Sequence, residues 1–197
     1  MNSIIARIGA ITASVSIILF MIFMPIFAFG SYLVCIFLAL GYVIMAAGFY
    51  QESVQERKTP AAVGVAFSSI YATIILLVYF AQLTSVRLDD LNSEALKILD
   101  YQRLGLFFNF DLLGYGIMAL STFFIGLSIK PQTKIDKWLK ALLMIHGVFF
   151  ISCIIAPMLG IFKPGVKWIG TLLLEIWCAY FLPVCVLAFL HFKQVRK

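Results

Sequence analysis

The 197-residue chain is 63% hydrophobic and 12% charged, with a formal net charge of +6, whereas soluble domains carry roughly 25% charged residues. That balance excludes a water-soluble globular enzyme, and no polar stretch is long enough to bury a core of its own. No nucleic-acid module accompanies the positive charge, which instead suits contact with the anionic headgroups of a lipid bilayer.

A hydrocarbon core about 30 Å thick needs roughly 20 helical residues. Six apolar windows have that length: 8–27, 31–50, 61–83, 105–129, 141–162 and 168–192. The chain therefore reads as all-α, a polytopic bundle of six transmembrane helices forming a single membrane domain over 1–197.

In the first window Arg7 is placed to snorkel to the boundary. Ala28-Phe29-Gly30 imitates a leader cleavage site. The preceding apolar run is longer than the roughly 7 to 15 residues of a signal core, however, and Pro25 with a short connector reads as the turn of a helix hairpin. The third window carries Ser68, Tyr71, Tyr79 and Gln82.

Within 84–104, Leu91, Ala95, Ile98 and Leu99 recur at helical spacing behind Asn92 or Ser93 as a cap, predicting a short amphipathic helix on the outer surface. Its mixed charges fit either a solvated face or a lid over an external vestibule.

Ionisable groups inside the windows cost at least about 2.5 to 3.5 kcal/mol each and are functional candidates for that reason. Asp111 lies about 9 Å into the fourth window and Glu175 about 10 Å into the sixth, at 1.5 Å per residue. Both enter from the same side, so the two acids are expected at one depth. Tyr115, Met118 and Thr122 continue the Asp111 stripe, and Tyr79 and Gln82 reach the same level. A polar pocket in the outer half of the bundle follows, with two neighbouring acids favouring a shared proton or a bound cation.

His146, alone among apolar neighbours in the fifth window, reads as a packing residue. Pro157 and Pro183 interrupt the last two windows, and prolines there free a backbone carbonyl one turn earlier. Small residues four apart, Ala10 and Ser14, Gly64 and Ser68, Ala156 and Gly160, permit close helix contact.

Lys and Arg set the orientation, because cytoplasmic loops hold the excess. Arg7, Arg57, Lys58, Lys130, Lys134, Lys137, Lys140, Lys193, Arg196 and Lys197 fall on one side, against Arg87, Lys97, Arg103, Lys163 and Lys167 on the other. Both termini are expected in the cytoplasm. Tyr50 and Trp138 at inner ends, with Tyr32, Tyr101 and Trp168 at outer ends, form the matching interfacial belts.

Cys35, Cys153, Cys178 and Cys185 all sit inside windows, which argues against a disulfide framework. No Cys or His pair has zinc-like spacing, so no metal or cofactor is expected. The chain lacks GxSxG, HExxH, P-loop and GxGxxG patterns. Asp111 and Glu175 have the chemistry of a general acid and base, but no hydrolase motif accompanies them.

Ala6-Arg7-Ile8-Gly9, Phe110-Asp111-Leu112-Leu113-Gly114 and Glu175-Ile176-Trp177 resemble motifs of a family of uncharacterised six-helix bacterial membrane proteins. That resemblance implies a plasma-membrane location and no mechanism. In size and helix count the chain is also similar to the substrate-binding subunits of energy-coupling-factor vitamin transporters, with a shorter first external connection than theirs.

The expected function is binding or transport of a small solute or cation, with Asp111 and Glu175 as charge partners and Tyr79, Gln82 and Tyr115 as hydrogen-bonding walls. The rival is a non-catalytic scaffold or partner subunit of another membrane protein, whose acids only stabilise packing.

Overall fold

The computed structural model describes residues 1–162 and 167–194, without the side chains of 167–169. Lys163, Arg196, Lys197 and the side chains of Lys167 and Trp168, which enter the expected charge and aromatic belts, lie outside the described residues. The described chain is helical throughout its ordered elements: α1 (Asn2–Phe23), α2 (Ala28–Glu52), α3 (Lys58–Leu83), α4 (Ser85–Leu88), α5 (Ser93–Leu99), α6 (Leu106–Ser128), α7 (Lys134–His146), α8 (Phe149–Met158) and α9 (Lys167–Gln194). Six segments are long and apolar enough to cross a membrane, Asn2–Phe23, Ala28–Glu52, Gln55–Leu88, Leu106–Ser128, Lys134–Met158 and Gly170–Gln194. Ile8, Ile11, Phe37, Leu77, Phe80 and Ile151 are among many large apolar side chains left on the outside, a surface suited to lipid and not to water.

The fifth segment departs from the expected continuous helix. Over residues 147–151 the hydrogen bonds change from the four-residue to the three-residue pattern, with Gly147 N–H donating to Met144 O (3.1 Å), Val148 N–H to Ile145 O (3.0 Å) and Phe150 N–H to Gly147 O (3.2 Å). This tight turn separates α7 from α8. A glycine is required there, since a Cβ on Gly147 would lie 2.8 Å from Cβ of Phe123 and 3.0 Å from Met144 O.

Helix α1 packs along α2 through small residues. A Cβ on Gly41 would meet Ala13 N at 2.9 Å and Gly9 O at 3.0 Å, so the two backbones approach closely, as small residues allow. Gly48 abuts Ala6 and Phe192, which brings the start of α1, the end of α2 and the end of α9 to one end of the bundle. Of the small pairs read from sequence, Gly64 does pack, against Ser121 and Ile125 of α6. Gly160 instead ends α8 with φ +62°, while Gly160 N–H donates to Pro157 O and Ile161 N–H to Ala156 O, so it caps the helix and packs nothing.

At the middle of the bundle, Tyr42 Oη donates to Ser121 Oγ (2.8 Å), which donates to Gly64 O (2.6 Å), tying α2, α6 and α3 together. Helix α6 is central, packing on α3, α7 and α8. Helix α8 is peripheral and has no buried residue.

The short helix expected after α3 forms as α5, with the Asn92 side chain accepting from Ala95 N–H (2.9 Å). Its packed face differs from the expected one. Ile98 is half exposed, while Leu96 joins Leu91, Ala95 and Leu99 on the covered side.

Candidate ligand cavity and a second polar cluster

Asp111 is 1% exposed, and its Oδ1 is buried with no hydrogen-bond partner among the described residues. The hydroxyls of Tyr79, from α3, and Tyr101, from the segment after α5, approach the same carboxyl. Burial, with Asp111 alongside, pushes the Tyr101 phenol above its ordinary value, which keeps it an O–H donor. An unpaired acceptor in a dry interior costs as much as a lost hydrogen bond, so Oδ1 marks a place where a donor is missing.

Asp111 belongs to the wall of a cavity of about 210 Å³ between α6, α8 and α9. Phe108, Asp111, Leu112 and Tyr115 line it from α6 at spacings of three and four, which put them on one helix face. Phe149, Ser152 and Cys153 line it from α8, and Leu173, Leu174 and Trp177 from α9. Aromatic rings dominate: Tyr101 and Phe108 centroids are 5.3 Å apart, Phe108 and Phe162 5.2 Å, Tyr115 and Trp177 4.9 Å. Tyr115 Oη, like Tyr71 Oη behind it, is buried without a partner.

The expected pairing of acids is not present. Glu175 is half-buried and absent from the cavity wall. Trp177, two residues on, faces the cavity, and a two-residue step turns a helix by more than half a circle, which carries Glu175 to the other side of α9. Of the remaining expected residues only Tyr115 lines the cavity. Tyr79 stands behind the wall, against Asp111 and Tyr101. Gln82 serves elsewhere, because its Nε2 donates to Leu99 O (2.8 Å) and its Oε1 accepts from Tyr101 N–H (3.0 Å). Both ends of the amide thus fasten the segment that holds Tyr101 over the cavity.

His146 sits beneath the cavity, fully buried. Trp177 Nε1 donates to its Nε2 (2.9 Å), and its Nδ1 meets Thr122 Oγ1 at 2.8 Å. An indole nitrogen only donates, so Nε2 is the acceptor and the proton resides on Nδ1. The Thr122 hydroxyl, accepting from Nδ1–H, donates its own hydrogen bond to Ala119 O (2.8 Å). With both ring nitrogens occupied, His146 is the satisfied packing residue that its surroundings implied, joining α6, α7 and α9.

A second polar cluster lies at the end of the bundle that gathers the termini. His191 of α9 stands between two acids, its Nδ1 2.7 Å from Asp136 Oδ1 and its Nε2 3.1 Å from Glu52 Oε2. Asp136 Oδ2 accepts from Gln132 N–H and Thr133 N–H, both at 2.9 Å, and Thr133 Oγ1 accepts from Asp136 N–H. This capping box fixes the start of α7. The cluster borders a cavity of about 490 Å³ that also includes Ser128 and Lys130. Nearby, Arg57 donates to Leu127 O (3.1 Å) and Ile129 O (2.7 Å), satisfying the end of α6. In the sequence, Thr133-x-x-Asp136 was the visible trace of this arrangement, and its partners Glu52 and His191 gave no separate signal.

No family model, curated protein or solved structure matches the chain, so the chemistry of these two regions rests on their own geometry.

Proposed function

We propose that the chain is a multi-pass protein of the plasma membrane that binds or carries a small solute in the cavity between α6, α8 and α9. Asp111 is the charge partner and Tyr115 the hydrogen-bonding wall. Both termini face the cytoplasm in this reading, as the Lys and Arg distribution favours, and the cavity opens in the outer half. The observation that carries it is Asp111, a residue of the cavity wall whose buried Oδ1 has no partner among the described residues. Glu175 has no part in the site.

A scaffold or partner subunit is the competing reading, and it has one observation in its favour: Tyr79 and Tyr101 already approach the Asp111 carboxyl, as a purely packing acid requires. Thermal unfolding of the purified full chain in lipid nanodiscs separates the two, using a panel of neutral, anionic and cationic solutes small enough for the cavity. A ligand that binds only the folded state raises the midpoint. Stabilisation of wild type that is lost in a folded Asp111→Asn variant supports the site. A panel without effect on wild type, with Asp111→Asn altering only the unliganded midpoint, supports the scaffold.

A further inference from the structure

Resting on that reading, we infer that the occupant is an amphiphilic ammonium compound, a mostly apolar molecule with one protonated amine, which reaches Asp111 sideways through the cleft between α8 and α9.

Charge selects the ligand class first. An anion is repelled by a carboxylate that has no basic residue among the described residues of the cavity wall to offset it. A neutral apolar molecule leaves Oδ1 without a donor. Calcium or magnesium needs about six oxygen ligands, and the described residues of the wall supply only the Asp111 carboxyl and the hydroxyls of Tyr101, Tyr115 and Ser152. A sugar fails similarly, since its many hydroxyls would lose more hydrogen bonds to water than this wall returns. A single ammonium head meets both demands at once. Its N–H donates to Oδ1, and its charge is compensated by the one acid in a place where an isolated charge of either sign is costly.

The rings define the body of the ligand. Tyr115 and Trp177 meet edge to face beside Asp111, and the faces of Tyr, Trp and Phe attract cations within about 6 Å. The remaining wall, with Leu112, Phe149, Leu173 and Leu174, accepts only apolar groups.

The route follows from what is fastened and what is not. Above the cavity, Tyr101 is held by the two Gln82 bonds. At the side, α8 buries none of its residues and, among those described, packs on α6 with little contact to α9. Leu173 and Ile176 of α9, both on the cavity wall, are exposed. The tight turn at Gly147 hinges α8 to α7, and a short three-residue pattern inside a helix is a common hinge. An amphiphile dissolved in the outer leaflet therefore meets the opening directly, with its tail left in lipid.

The test uses the full chain in lipid nanodiscs with four probes of defined chemistry: 2-phenylethylamine, its neutral isostere 2-phenylethanol, 3-phenylpropanoate and dodecylamine. Thermal stabilisation and its concentration dependence give the affinity of each. The expected result is that 2-phenylethylamine binds roughly tenfold or more tightly than 2-phenylethanol, as a charge-assisted hydrogen bond confers, and that 3-phenylpropanoate has no effect. In Asp111→Asn, and in Asp111→Leu as a second variant in case one does not fold, the preference for the amine disappears. Dodecylamine, whose tail cannot fit within the cavity, binds as well as the short amine if entry is lateral. Equal binding of amine and alcohol overturns the ammonium assignment while leaving the solute site standing. Failure of dodecylamine alone overturns the side entrance. No stabilisation of wild type by any probe overturns the ammonium assignment and leaves the broader panel to decide the site.

Discussion

Trp177 donates its indole N–H to Nε2 of His146 across 2.9 Å, with both side chains buried and on different helices. The bond joins the floor of the aromatic cavity to the helix that precedes the Gly147 turn. Trp177→Phe keeps the ring contact with Tyr115 but leaves a buried imidazole acceptor without a donor. The expected loss of stability is about 1 kcal/mol, toward the low end of the cost of an orphaned buried acceptor. Reversible unfolding in mixed micelles measures it. No change would mean that the imidazole finds another donor.

The bridge at the other end gives a coupled prediction. His191 has carboxylate oxygens at both ring nitrogens, so its removal leaves Glu52 and Asp136 confronting each other across a half-buried gap. His191→Ala is expected to cost about 1 to 2 kcal/mol, discounted from a fully buried pair because the site is partly open. Adding Glu52→Gln should recover part of that loss, since the second acid then no longer opposes the first. A double-mutant cycle on the unfolding free energies measures the coupling. Strict additivity would show that the three groups do not act together.

Gln82 is a latch for the segment between α5 and α6. Gln82→Ala removes both bonds to the backbone of Leu99 and Tyr101. The amide of Tyr101 is then expected to exchange its hydrogen faster, in line with a local opening that no longer has to break those bonds. Gln82→Glu retains the acceptor for Tyr101 N–H and loses the donor to Leu99 O, so its effect should be intermediate. Hydrogen exchange followed by mass spectrometry across 92–108 distinguishes the two. Equal exchange in all three proteins would mean that α5 holds the segment by itself.

Much of the fold was legible because long apolar helices announce themselves by length and composition, and Asn92 by its capping chemistry. Asp111 stood out for a related reason: a carboxyl in an apolar run is costly and needs an explanation. The error with Glu175 was one of rotation. Depth along a helix follows from counting residues, but which side faces the cavity depends on packing, and Trp177 claims that side. Gln82 was placed at the correct level and misread in purpose, since its partners are backbone atoms that no side-chain pattern reveals. The aromatic wall was invisible because Tyr101, Phe108, Phe149 and Trp177 come from four separate stretches and look individually like ordinary lipid-facing or interfacial rings. The break at Gly147 escaped for the opposite reason, because one glycine in an apolar run has no mark to separate a hinge from a packing contact.

That ambiguity leads to a paired experiment on two glycines of the cavity's flanking helices. At Gly147 an added Cβ would meet Phe123 Cβ and the Met144 carbonyl within 3.0 Å, and backbone cannot yield as a flexible side-chain end does. Gly147→Ala is expected to destabilise the protein by about 1 to 3 kcal/mol, the usual cost of forcing an extra carbon into a packed site. At Gly170 of α9 nothing among the described residues lies within 4 Å of an added Cβ, and alanine in a helix loses less backbone freedom on folding than glycine. Gly170→Ala should therefore stabilise, by about 0.5 to 1 kcal/mol. Val148→Ala, at a side chain 65% exposed, serves as the control and should stay within about 0.5 kcal/mol of wild type. Unfolding free energies of the three variants settle the matter by sign alone. If Gly147→Ala is neutral, the turn is a soft feature that closes into a continuous helix, and α8 has no hinge on which to move.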